Sequence, residues 1–150
     1  MPSPFEFPSS TANVGLPLLF AGQAQKEFFV NQAFAVIDAL LHRGVVSAAP
    51  IPPASPQEGD AYLVIAPASG EWTGEDGSIA VQIGGAWHFV APREGMVIYD
   101  RDAGRSLVFR EGWEVAETIA IPGGGTVVDA EARSAIEQII IEMRRFGILS

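Results

Sequence analysis

Apolar positions follow a helical period at the two ends of this chain and a strand period in its middle. Val30, Phe34, Ile37 and Leu41 fall at spacings of four, three and four, with Ala33 and Leu40 beside them. That pattern predicts an amphipathic helix from Gln23 to Arg43, with Gly44 as the residue just past its end. Ala61-Tyr62-Leu63-Val64-Ile65 reads as a strand after the turn Glu58-Gly59-Asp60. Residues 78–115 read as one continuous run of short strands, at 78–83, 86–90, 96–99, 106–110 and 113–115. Gly84-Gly85 suits a two-residue primed hairpin turn, which needs positive φ at both positions. Pro92-Arg93-Glu94-Gly95 and Glu111-Gly112 mark two further turns.

Toward the C-terminus the helical period returns. Ala132, Ile136, Ile139, Met143 and Phe146 are spaced four, three, four and three, an a/d seam, with Ala135 and Ile140 widening the stripe. Thr126 or Asp129 can cap this helix and Gly147 can end it. Isoleucine at both seam positions favours trimers or tetramers over dimers. The remaining segments are punctuation. Residues 1–15 lack a period and read as an extended arm, 48–56 form a proline-rich connector, and 121–125 form a glycine hinge. The expected organisation is arm (1–15), globular body (16–120), hinge (121–125) and C-terminal helix (126–150). The fold class is α+β: an N-terminal helix packed on a small antiparallel β-meander, with a C-terminal oligomerising helix.

Composition narrows the partners. The 150 residues suffice for one good hydrophobic core, and a 48% hydrophobic content with mean hydropathy of +0.23 argues against disorder. A net charge of −9 disfavours nucleic acid and anionic membrane surfaces, since both would meet net repulsion. The arginines at 93, 101, 105 and 110 are interleaved with Glu94, Asp100, Asp102 and Glu111, so no basic patch offsets this. Cysteine is absent, which removes disulfides, thiolate nucleophiles and cysteine-based zinc sites. His42 and His88 are the only histidines, so no metal site and no cofactor are expected. The N-terminus has no basic n-region, and Leu16-Pro17-Leu18-Leu19-Phe20 is too short for a membrane span or signal core. Synthesis and folding in the cytoplasm, without membrane insertion, are the expectation.

No catalytic constellation emerges. Asp38 and His42, four apart on the first helix, are expected to form a solvated pair near its C-terminus. Glu71, Glu75, Asp76, Glu94, Asp100 and Asp102 crowd the turns, as carboxylates do in any acidic, loop-rich domain, and they specify no hydrolase. Asp100-Arg101-Asp102-Ala103-Gly104 lacks the later acidic ligands of a calcium loop and reads as a turn. The aromatic residues are the stronger candidates, because exposed rings stack on sugars and anchor interfaces. Trp72 in the glycine-rich loop 69–77 is expected to be partly exposed, with Tyr62, Tyr99 and Trp113 as further contact candidates. Alternation of Trp87 with Phe89, and of Tyr62 with Val64, places those rings among apolar neighbours, so core packing is the competing reading.

Ordered segments over residues 16–115 carry a resemblance. They are Leu16-Pro17-Leu18-Leu19, Gln23-Ala24-Gln25-Lys26-Glu27, Asn31-Gln32-Ala33, residues 52–64, Gly70-Glu71-Trp72-Thr73-Gly74, Gly77-Ser78-Ile79-Ala80, Gly85-Ala86-Trp87-His88-Phe89 and Pro92-Arg93-Glu94-Gly95. In these the chain resembles the domain-of-unknown-function family of alphaproteobacterial prophages and gene transfer agents, found in fibre- and spike-like proteins. The tail from Val128 to Ile148 is similar to the helical ends that follow such domains. The resemblance implies a non-enzymatic virion component of a tail fibre or head spike engaged in host attachment. Its implied partners are copies of itself, with a trimer favoured, other particle proteins and host surface polysaccharide. Many members continue into large C-terminal regions, so a chain ending at Ser150 is expected to act as an adaptor or base. A carbohydrate-binding module that reads host polysaccharide through Trp72 and its neighbours is the alternative expectation.

Overall fold

The computed structural model describes residues 9–22, 26–116, 119–121, 123 and 129–149. The architecture is α+β, with an N-terminal helix, two antiparallel-rich sheets and a C-terminal helix. The chain divides at Pro92/Arg93 into two compact units, so the run of strands over 78–115 is not one meander. The turn at 92–95, closed by Met96 N–H donating to the Arg93 carbonyl, is where that run is interrupted.

In the first unit, α1 (Lys26–His42) leads into two short strands, β1 (Gly44–Val45) and β2 (Ala48–Ala49). β3 (Ala61–Val64), β4 (Ile79–Ile83) and β5 (Ala86–Val90) follow, with β2 parallel to β3 and the β3–β4 and β4–β5 pairs antiparallel. Gly84 and Gly85 take φ of +60° and +79°, which gives the expected hairpin turn. All four residues of β3 and the first four of β4 are buried, so these central strands are covered on both faces. α1 packs against β4.

The other face is sealed by aromatic rings. Tyr62, Trp72 and Trp87 meet pairwise with centroids 5.1–5.9 Å apart at tilted and edge-to-face angles. Trp72 is 0% exposed, which overturns the expectation that the glycine-rich loop displays it. The loop winds back on itself. Ala68 N–H donates to Asp76 Oδ1, Gly77 N–H to the Val64 carbonyl and Ser69 N–H to the Pro50 carbonyl. Gly70, Gly74 and Gly77 sit at positive φ, so the glycines coil the segment tightly enough to press Trp72 into the sheet.

The end of α1 also differs from expectation. Arg43, at φ +52°, is the left-handed residue after the helix, and Gly44 already belongs to β1. A Cβ at position 44 would lie 2.7 Å from Nδ1 of the exposed His42 ring, which would have to turn aside. Residues 9–15 do not form a free extended arm. They close a small loop through a Ser10–Pro17 bridge and the Thr11 N–H bond to the Leu16 carbonyl.

In the second unit, β6 (Val97–Asp100), β7 (Arg105–Phe109) and β8 (Trp113–Val115) follow one another as antiparallel neighbours. Asp100 accepts from the N–H groups of Asp102 and Ala103 through Oδ1, which makes 100–104 the turn anticipated. α2 (Ala130–Arg145) starts with Asp129 as N-cap, its Oδ1 accepting from Ala132 N–H at 2.8 Å. It ends in a Schellman arrangement: Gly147 N–H donates to the Arg144 carbonyl and Ile148 N–H to the Met143 carbonyl. Thr126 and most of the 121–125 hinge lie outside the described residues.

Gly147 also docks the helix. Its carbonyl accepts from Ser106 N–H at 2.7 Å, and its bare Cα passes over Tyr99, where a Cβ would come within 2.7 Å of the ring. Gly147→Ala combines that clash with an unfavourable φ of +65°, and is expected to destabilise the second unit by about 1–3 kcal/mol. Denaturant unfolding followed by Trp113 fluorescence measures this. In the first unit, Trp72→Ala is expected to cost about 3–5 kcal/mol, as large aromatic truncations in cores do. Trp72→Phe should cost less than half of that. The indole N–H is buried with no acceptor among the described residues, and its loss offsets part of the lost packing.

Candidate functional site

A dense polar network lies where residues 9–22 cross α1. Glu27, Asn31 and Asp38 are four and seven residues apart and share one side of the helix. Asp38 is only 1% exposed. Its Oδ1 accepts from the Thr11 hydroxyl and from Val14 N–H, both at 2.8 Å, and its Oδ2 from Asn13 N–H at 2.7 Å. Thr11 Oγ1 in turn accepts from Leu16 N–H at 2.8 Å. Asn31 clasps Leu19 at both backbone groups, and Glu27 Oε1 accepts from Gly22 N–H at 3.0 Å. Each polar side chain of this helix face thus serves backbone groups of the preceding segment.

This corrects the expected solvated pair of Asp38 and His42. The Asp38 carboxylate points to residues 11–14, and His42 remains exposed. Burial on its own would raise the Asp38 pKa. The backbone N–H groups of Asn13 and Val14, with the side chains of Thr11 and Asn13, outweigh that effect and hold the carboxyl below its usual value.

A cavity of about 580 Å³ opens beside this network, among residues 10–21, α1 and the β4–β5 hairpin. Leu18, Leu19, Phe28, Ala35 and Ile83 make it chiefly apolar. Its polar side chains are largely engaged. Glu58 accepts from Gly84 N–H through both oxygens at 2.9 Å, and the Gln32 amide nitrogen lies 3.0 Å from His88 Nδ1. Gln82 Oε1 is buried without a partner among the described residues. Its volume is that of a small-molecule site. Three carboxylates line it and each accepts backbone N–H groups: Asp38 from Asn13 and Val14, Glu27 from Gly22 and Glu58 from Gly84. Among the described residues, no three His, Asp or Glu side chains come together as metal donors.

The aromatic residues singled out from sequence are not assembled into one platform. Tyr62 and Trp72 are core residues of the first unit. Tyr99 and Trp113 belong to the second, where Tyr99 lies against Gly147 and Trp113 packs edge-on to Phe109 at 5.3 Å. The seam residues of α2 are placed differently. Ile140 is the helix's buried residue, and Leu149 beyond it is buried as well. Ile139 and Phe146 are 58% and 69% exposed, and Ala132 and Ile136 are exposed with them. Met143 is half-buried at the edge of a shallow apolar groove formed with Ile139, Phe146 and Ile148.

The family model described as "Protein of unknown function (DUF2793)" matches residues 30–114, more than half of the chain. The chain belongs to the DUF2793 family. No curated protein matches it. The DUF2793 segment begins within α1 and ends within β8, so it takes in Asn31, Asp38 and the Tyr62–Trp72–Trp87 cluster. Residues 9–22 and α2 lie outside it.

The signal that the sequence reading passed over was the row Glu27, Asn31, Asp38. Three hydrogen-bonding side chains aligned on one side of the helix mark a face with a polar segment to hold. Asp38→Ala leaves two backbone N–H groups and the Thr11 hydroxyl without their acceptor, and is expected to cost about 2–4 kcal/mol. The folded-state pKa is depressed, so this stabilisation is fully present above the unfolded value of about 3.9 and is lost as pH falls through the folded value. Unfolding free energy measured from pH 7 to pH 2 should therefore fall at the acid end in the wild type. The Asp38→Asn chain should be less stable at pH 7 and show a shallower acid decline.

Proposed function

We propose that this DUF2793 chain is a non-enzymatic structural component of a phage-like particle or gene transfer agent. In this reading it is a fibre or spike protein, or its adaptor, at the point of host attachment. It is made in the cytoplasm, works as a homo-oligomer with a trimer favoured, and joins other particle proteins. The observation that carries the reading is the exposed seam of α2. The helix is capped at both ends and anchored through Ile140, Gly147 and Leu149, yet Ile136, Ile139 and Phe146 face solvent. An apolar stripe at 4-3-4-3 spacing on a helix already fixed in place suits packing against its own copies. Likeness of the segments within 16–115 to fibre- and spike-associated domains supplies the particle.

The polysaccharide-binding alternative loses its main support, because the Trp72 ring is sealed in the core. Half-exposed Tyr99 and Trp113 remain, both in the second unit.

Light scattering on the full chain tests the proposal. The mass should exceed the 15.9 kDa of one copy, and Ile139→Glu with Phe146→Glu should lower it while circular dichroism stays unchanged. A wild-type monomer at micromolar concentration would sink the reading, as would an unaltered assembly in the double variant. Purified particles should contain the chain at a fixed copy number.

A further inference from the structure

The first helix is inside out. Its buried residues are Glu27, Asp38 and Ala39. Phe29, Ala33, Ile37 and Leu41 are exposed, Phe29 at 78% and Leu41 at 60%. They stand every four residues along one side, flanked by half-buried Val30, Phe34 and Leu40. The arrangement follows from the polar network: once Glu27, Asn31 and Asp38 turn inward to hold residues 11–22, the apolar arc of the same helix must turn outward.

We infer that this outward face of α1 is a second self-association surface, covered by the α1 of another copy. Three observations favour a copy over a different partner. The first is charge. Both acidic residues of α1, Glu27 and Asp38, are buried, so the outward face carries no negative charge. Two molecules that repel overall, at −9 each, can meet there without opposing carboxylates. The second is area. Scaled by their exposed fractions, Phe29, Ile37 and Leu41, with Ala33 and the half-buried flanking residues, offer about 450 Å² per copy. Two copies bury about 900 Å², close to the size of a specific interface. The third is shape. A ridge at i, i+4, i+8 and i+12 interdigitates with an identical ridge at a crossing angle of about −50°. Ala33 is the small residue near mid-ridge that lets the helices approach. The contact is isologous, and it is separate from the α2 seam.

The chain has no cysteine, so a single one reports the contact. Ala33→Cys should form a disulfide-linked dimer on mild oxidation at micromolar concentration. Ala103→Cys, on the exposed turn between β6 and β7, should not. Adding Phe29→Ser and Leu41→Ser, both at exposed positions, should abolish the cross-link with circular dichroism unchanged. Adding Ile139→Glu and Phe146→Glu instead should leave it intact, which separates this surface from the α2 reading. The inference is overturned if Ala33→Cys cross-links no faster than Ala103→Cys, or if the cross-link survives loss of Phe29 and Leu41. It is equally overturned if the face binds a different polypeptide while the chain alone shows no α1-dependent pairing.

Discussion

The Asp38 carboxylate is the constraint on which the first unit turns. It lies buried and accepts three hydrogen bonds from residues 11–14, while Asn31 and Glu27 hold Leu19 and Gly22 from the same helix face. A charge so placed is tolerable only because those donors replace water. The segment, for its part, finds acceptors for backbone N–H groups that no strand or helix would satisfy. The rotation of α1 about its own axis follows from this exchange. Polar residues face in, and Phe29, Ile37 and Leu41 face out.

The two units reach the same surface character by different routes. α1 exposes apolar residues because its other side is committed to hydrogen bonding. α2 exposes them because a single buried helix residue, Ile140, with Gly147 and Leu149 beyond the helix end, suffices to fix it on its sheet. Large apolar side chains are exposed on both helices, and the proposed self-association rests on them. The carboxylates beside the cavity accept backbone N–H groups, and the tryptophan best placed for ligand stacking by sequence is a core residue.

Local backbone requirements were the most legible part of the sequence. Gly84-Gly85 specified its hairpin and Gly147 its helix end, and of the two caps offered, Thr126 or Asp129, the structure uses Asp129, because each answers a need set by immediate neighbours. Long-range packing was not legible to the same degree. Glycines around Trp72 suggested an open loop, yet they coil the chain so that the ring is driven into the sheet. The period of α1 showed that the helix is amphipathic, and it could not show which side the rest of the chain would cover. Continuity of strand-like residues over 78–115 likewise concealed the division at Pro92, since a turn within a meander and a turn between two units use the same residues.

The central claim is that the polar face of α1 holds residues 11–22, and so sets the apolar face outward. Amide hydrogen exchange measures it most directly. The account predicts that the N–H groups of Asn13, Val14, Leu16, Leu19 and Gly22 exchange about as slowly as those within α1, and that Asp38→Ala releases Asn13 and Val14 first. Exchange of these amides at the rate of an unstructured chain in the wild type would contradict it.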